Sequence, residues 1–241
     1  MIDQPESRAI TAGIPYWIFA FFVLPFFGNF FSADYEHAFW VDFAYHLINF
    51  IVVLIIFIPY LRESFFTVQI YLKKFLTIVG WCIVAVLALK VSFFNWTFSS
   101  GNEILHNAAF ASWITTESDL RYFSTAFISA QPLWGILCVV LFTPVTTVCL
   151  LYACIFAPIS NTRPVLAYVV MVIAFLLVRL VMTFAFWSFE EEMAIFLVQL
   201  PIHLVACWAY QQTDTVWAPI TIHTVSNILL TPLAMHHMGF F

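Results

Sequence analysis

His223 and Asn227, near the C-terminus, have residue types and a spacing that could do chemistry. They stand four residues apart in Trp217-Ala-Pro-Ile-Thr-Ile-His-Thr-Val-Ser-Asn, so on a helix they share one face. An imidazole can carry a proton or bind a metal, and an amide can hold an oxyanion. In apolar surroundings both also need polar partners. Further polar groups interrupt apolar stretches elsewhere: His46 with Asn49 three residues on, and His203 just after Pro201. Three imidazoles meeting around an open position would suit a metal. Each alone would serve as a hydrogen-bonded core residue, and spacing does not bring them together.

The elements that must position these groups are membrane helices. The chain has 241 residues, 63% hydrophobic and 9% charged, with a mean hydropathy of +0.98. A soluble domain carries roughly 25% charged residues, so this chain cannot cover a water-facing surface. The composition predicts an all-α polytopic integral membrane protein whose first partner is the lipid bilayer. The few scattered basic residues exclude a nucleic-acid partner. Cys82, Cys138, Cys149, Cys154 and Cys207 all lie in apolar stretches with no paired spacing, which suits buried thiols acting as small hydrophobes. The first apolar run is long enough to read as an uncleaved signal-anchor helix. The C-terminus has no prenylation signature.

At roughly 20 apolar residues per span, the chain divides into about seven transmembrane helices. They are expected over Ile14 to Phe31, Val41 to Leu61, Phe75 to Asn95, Pro132 to Ala157, Pro164 to Trp187, Met193 to Tyr210 and Trp217 to Leu233. No linker divides them, so residues 1–241 read as one membrane domain. It comprises N-terminal helices over 14–97, an outer interfacial cap or a loop over 98–131, and a C-terminal core over 132–233. With the N-terminus cytoplasmic, Arg8, Arg62, Lys73, Lys74 and Arg163 fall inside. Arg121 and most acidic residues fall outside, as the positive-inside rule asks. The C-terminus then lies outside. Arg62 to Lys74 has apolar residues at helical spacing between cations and suits a short interfacial helix. Asn95-Trp96-Thr97 fits a glycosylation pattern but abuts a span, so it reads as chance.

Ionisable residues inside spans are functional candidates. Lys90, near the outer end of its span, is expected to snorkel to the interface. Arg179 lies about 13 Å from the outer end of its helix by the helical rise. It either snorkels or pairs with a carboxylate from Glu190, Glu191 and Glu192.

The stretch from Tyr210 through Thr213-Asp214-Thr215 to Ala218, Pro219, Ile220, His223 and Asn227 resembles the last motif of the CAAX-protease and bacteriocin-processing (Abi) family of intramembrane proteases. The likeness covers roughly Leu141 to Leu233 and is strongest at its end. It implies a helical protease core with His223 and Asn227 as catalytic residues, and zinc or another divalent metal as cofactor where the site is active. The family also has a Glu-Glu-x-x-x-Arg motif after a proline. Aligned on Pro144, that motif falls on Thr147, Val148 and Tyr152, so all three residues are lost. The family's Phe-x-x-x-His falls on Phe184 to Ser188, with Ser188 in place of the histidine. Small packing glycines are replaced by His203 and Cys207.

These losses remove the carboxylate that would take a proton from water, and one metal nitrogen. A general base is typically worth about 10²–10⁴ in rate. The Glu191-Glu192 pair is no obvious substitute, because it reads as a solvated outer turn at the opposite depth from His223. The expectation is therefore a non-catalytic relative without a cofactor, binding a peptide, a lipid or a partner membrane protein. Thr147, Tyr152, Arg179, Ser188 and His203 are its substrate or cavity candidates. The alternatives are an active endopeptidase of metallo- or glutamic type and a transporter subunit.

Overall fold

A computed structural model of the chain describes residues 5–23, 35–105, 109, 132–185 and 189–237. Among these residues the chain is almost wholly helical, with no strand. Helix α1 (Pro5–Ile18) runs into a widened turn at Phe19–Val23; α2 is Tyr35–Ile70 and α3 is Leu72–Ser100. Helix α4 covers 132–160 with alternating pitch. Then follow α5 (Pro164–Ala185), α6 (Phe189–Thr213) and α7 (Trp217–His237).

Five stretches are long and apolar enough to cross a membrane: Phe43–Ile70, Leu72–Ser100, Trp134–Ser160, Pro164–Val181 and Glu192–Thr213. The chain is thus a multi-pass helical membrane protein. Of the expected first span, Ala9–Phe21 forms an apolar helix shorter than these five, and residues 24–31 lie outside the described residues. The expected last span has the length, in α7, but Thr221, His223, Thr224, Ser226, Asn227 and Thr231 break its apolarity.

The short interfacial helix expected over Arg62 to Lys74 does not form as a separate element. No Gly or Pro interrupts 62–70, and α2 runs on through it for 36 residues, about 54 Å at the helical rise. Only Tyr71 breaks the run, and even there its N–H bonds Thr67 O while its carbonyl accepts from Phe75 N. Helix α3 ends at Gly101, which takes the left-handed conformation (φ 67°) open to glycine. Most of the cap or loop expected over 98–131 lies outside the described residues.

Helices α1, α2 and α4 meet in a core cluster to which α5, α6 and α7 also contribute, with Phe57 and Cys154 facing α1. Gly13 is the contact point. A β-carbon there would collide with Cys154 Sγ and stand 2.6 Å from Phe57 Cζ. Small residues at such crossings let membrane helices approach closely. Helix α3 packs on α6 in the opposite direction: Phe75 and Val79 share a cluster with Ala209, while Phe93 lies against Ile195 and Val198.

The α6–α7 turn is latched to α2. Ser64 Oγ lies 2.7 Å from Thr215 Oγ1 and accepts the Val216 N–H at 3.2 Å, and Trp217 Nε1 donates to Leu61 O at 2.9 Å. Asp214 turns the chain with φ at 53°, a left-handed conformation that short polar side chains tolerate. Arg62, Lys73, Lys74 and Arg163 are all exposed and gather at this latched end of the bundle.

The Gly13 contact predicts that Gly13→Ala overpacks the α1–α2–α4 junction. The expected cost is about 1–3 kcal/mol of stability, read as a lowered melting temperature of the purified chain in detergent. An unchanged melting temperature would mean that α1 does not seat there.

Candidate functional site

Helix α7 is the polar spine of the interior. His223, Ser226, Asn227 and Thr231 are all buried, and the neighbouring helices supply partners at two levels one turn apart.

At the first level, Tyr152 of α4 stands between two histidines. Its hydroxyl is 2.8 Å from His203 Nδ1 and 3.4 Å from His223 Nε2, and 3.4 Å from the His203 carbonyl. The two imidazole centroids are 5.4 Å apart, so α6 and α7 do bring His203 and His223 together. A phenol has one proton to give, so it donates to one nitrogen and can accept from the other. His223 Nδ1 has no hydrogen-bond partner among the described residues. Phe175 of α5 closes the side of His203 at 4.4 Å between ring centroids.

At the second level, Asn227 Nδ2 donates to the Val139 carbonyl at 2.9 Å, and Lys90 Nζ donates to Asn227 Oδ1 at 3.4 Å. The pitch of α4 explains why that carbonyl is available. Cys138–Phe142 and Val148–Phe156 are wide, π-type turns. The Thr143 N–H bonds back to Cys138 O, five residues away, so the ordinary helical partner of Val139 is already used. The next candidate is residue 144, a proline with no N–H. Pro144 and the wide turn together leave the Val139 oxygen without a helical donor, and Asn227 supplies one. Tyr152 lies on the second wide turn, a local geometry often found at functional sites.

A separate polar group joins α5 and α6. Arg179 Nη1 lies 3.6 Å from Glu192 Oε2, and its Nη2 donates to Gln199 Oε1 at 2.6 Å. The guanidinium also sits 5.0 Å from the Phe175 ring centroid, so Phe175 touches both Arg179 and His203. Of the two fates expected for Arg179, the structure has the carboxylate pair.

Two expectations are corrected here. Lys90 does not snorkel; its side chain is fully buried and turned toward α7. Its position continues the buried stripe of Phe75, Val79, Cys82 and Val86, so the helix face carries it inward. Glu192 is not on a solvated turn; it too is fully buried, where Arg179 meets it from α5. Glu190, by contrast, is exposed.

The remaining candidates lie apart or beyond view. Thr147 is buried on α4. Ser188 lies outside the described residues. His46 rests against the Tyr45 ring, while Asn49 bonds the Tyr16 hydroxyl and the Tyr45 carbonyl. Helix α2 thus places Asn49 beside α1. Among the described residues no group of three or more His, Cys, Asp or Glu could hold a metal ion, so the three-imidazole convergence is not realised. All five cysteines are buried and none forms a disulfide, as expected.

The arrangement offers hydrogen-bond donors and acceptors in a buried interior, with an amine and two imidazoles. Glu192, the one fully buried carboxylate among the described residues, is bound to Arg179. Gln199 and the Val139 carbonyl were not foreseen. The first is a single amide in the middle of α6, and the second is a backbone atom released by Pro144 and the wide turn together. No family model, curated protein or solved structure matches the chain.

If Asn227 serves the Val139 oxygen because Pro144 cannot, the two positions should be coupled. Asn227→Leu should cost about 1–3 kcal/mol by leaving a buried carbonyl unmet. Adding Pro144→Ala restores an N–H at 144 and should recover part of that loss, with a coupling of about 1 kcal/mol in a double-mutant cycle of detergent unfolding. The lost Lys90 contact enters both arms and cancels. Strict additivity would refute the coupling.

Proposed function

We propose that the chain is a non-catalytic, membrane-embedded binding or scaffold protein. In this reading its last four helices keep a CAAX/Abi-like arrangement within a bundle of seven crossings. It holds a peptide, a lipid or a partner membrane protein rather than cutting one. In this reading that latched end and the N-terminus are cytoplasmic, which the exposed cations there support by the positive-inside rule.

The observation that carries the reading is the Tyr152 hydroxyl between His203 and His223. A peptidase built on that pair would need the same space for an activated water or a metal. Here a phenol fills it, anchored by both imidazoles and by packing among Leu150, Leu151 and Phe156. Among the described residues no neighbouring carboxylate compensates. Thr147 and Val148 occupy the places where the resemblance calls for glutamates, and neither can take a proton from water near neutral pH. Glu192 is already committed to Arg179.

The reading predicts that the purified full chain carries no stoichiometric zinc and leaves peptides of the family's type uncut. Zinc bound one to one and lost on His223→Ala, measured by elemental analysis, would overturn it. Dissipation of a solute gradient by the chain in liposomes would assign it to transport instead.

A further inference from the structure

The outer face of the bundle carries a second feature, away from the polar interior. A cavity of about 410 Å³ opens between α3 and α6, lined by Trp81, Cys82, Ala85, Leu204, Val205 and Trp208. Its walls are almost entirely apolar. Trp81 and Trp208 are exposed at its sides. Ala85 puts only a methyl group on its floor. Both helices belong to the five that can cross a membrane, so the groove faces hydrocarbon.

The groove has a polar end. Lys74 lies seven residues before Trp81, two turns along the same face of α3, and it is exposed. The distance along the axis is about 10 Å at the helical rise. Exposed Thr77 lies between them on the same stripe. Because α3 and α6 run in opposite directions, the matching step on α6 is from Trp208 toward Gln212, also exposed. A cation and an amide therefore border one end of an apolar channel flanked by two indoles. Tryptophan favours the membrane–water boundary, and a basic residue there attracts anionic headgroups.

We infer that this groove is a binding site for an anionic phospholipid. Its acyl chain lies between Trp81 and Trp208, and its phosphate faces Lys74 and Gln212. The order of polarity along the groove, from cation through amide to apolar floor, is that of a phospholipid from headgroup to tail. A partner helix would meet no such order. The inference does not depend on the proposed function: the groove and the Tyr152 site share no residue, so either can fail alone.

The test is native mass spectrometry of the purified full chain, incubated with equal amounts of phosphatidylglycerol and phosphatidylcholine bearing identical acyl chains. Phosphatidylglycerol should be retained about fivefold over phosphatidylcholine, the preference expected of one cation near a headgroup. Lys74→Gln, a surface change that disturbs no packing, should bring the two lipids to parity. Lys73→Gln, one residue off the stripe, should leave the preference in place. Ala85→Trp should fill the groove and lower retention of both lipids. Added inorganic phosphate should not displace the lipid. Parity in the unsubstituted chain would overturn the site. So would a preference that survives Lys74→Gln, equal losses in the Lys73 and Lys74 variants, retention untouched by Ala85→Trp, or displacement by free phosphate.

Discussion

Inside a bilayer a polar group has no water to turn to, so every donor and acceptor must be met by the protein. Helix α7 concentrates that demand, because His223 and Asn227 lie on one face and Ser226 and Thr231 are buried beside them. The rest of the interior follows from how they are met. Tyr152 must come from α4, His203 from α6 and Lys90 from α3. Each such contact fixes the rotation of a helix that would otherwise be free to turn about its axis, since lipid tails and apolar side chains pack almost equally well against either face. Single interhelical hydrogen bonds contribute only about 0.6–2 kcal/mol. Their value here lies more in setting register than in total stability.

The same constraint separates what could be read in the sequence from what could not. The membrane setting and the placing of most helices were legible, because length and apolarity report them directly. Helix rotation was not. On α3 the buried face reads Phe75, Val79, Cys82, Val86 and the exposed face includes Leu76, Trp81 and Val84. Both are apolar, so no period distinguishes the side that carries Lys90 inward. In a soluble protein the polar face would have shown it. Glu192 failed for a related reason. Three adjacent glutamates look like a solvated turn, yet successive helical residues point about 100° apart. Glu190 and Glu192 therefore part, one to the exterior and one to Arg179. The extension of α2 past Leu61 was hidden because cations at both ends of 62–74 suggested an interface boundary. The backbone itself had no reason to stop.

The Tyr210 to Asn227 stretch has two layers of meaning in this light. Its first half is architectural: Thr215, Val216 and Trp217 tie the turn to Leu61 and Ser64, and Tyr210 lies 3.3 Å from the Tyr60 hydroxyl. Its second half presents His223 and Asn227 to α3, α4 and α6. A proline-led helix held rigidly at its start suits any site that must place two side chains accurately, whether they act on a substrate or only hold neighbouring helices. The resemblance to a protease motif and the proposed non-catalytic role are therefore compatible, since the stretch would be kept for positioning even where the chemistry is gone.

Whether chemistry could survive turns on the separation of charge from imidazole. A working acid–base site wants a carboxylate within hydrogen-bond reach of its water and its histidine. In this bundle Glu192 and His203 share α6, but they stand eleven residues apart, about 16 Å at the helical rise, and each is held by its own partner. Arg179 holds Glu192 at the α5–α6 contact, and the Phe175 ring touches both the guanidinium and His203. Releasing Glu192 would leave Arg179 without its buried counter-charge, a change that typically costs about 3–5 kcal/mol. The ion pair is therefore a poor reservoir of catalytic base. It works instead as a second fastening between α5 and α6, opposite the one that Tyr168 and Gln211 make at 3.0 Å toward the other end of the same helices. The two fastenings hold Phe175 against His203, and so help keep the imidazole in reach of Tyr152.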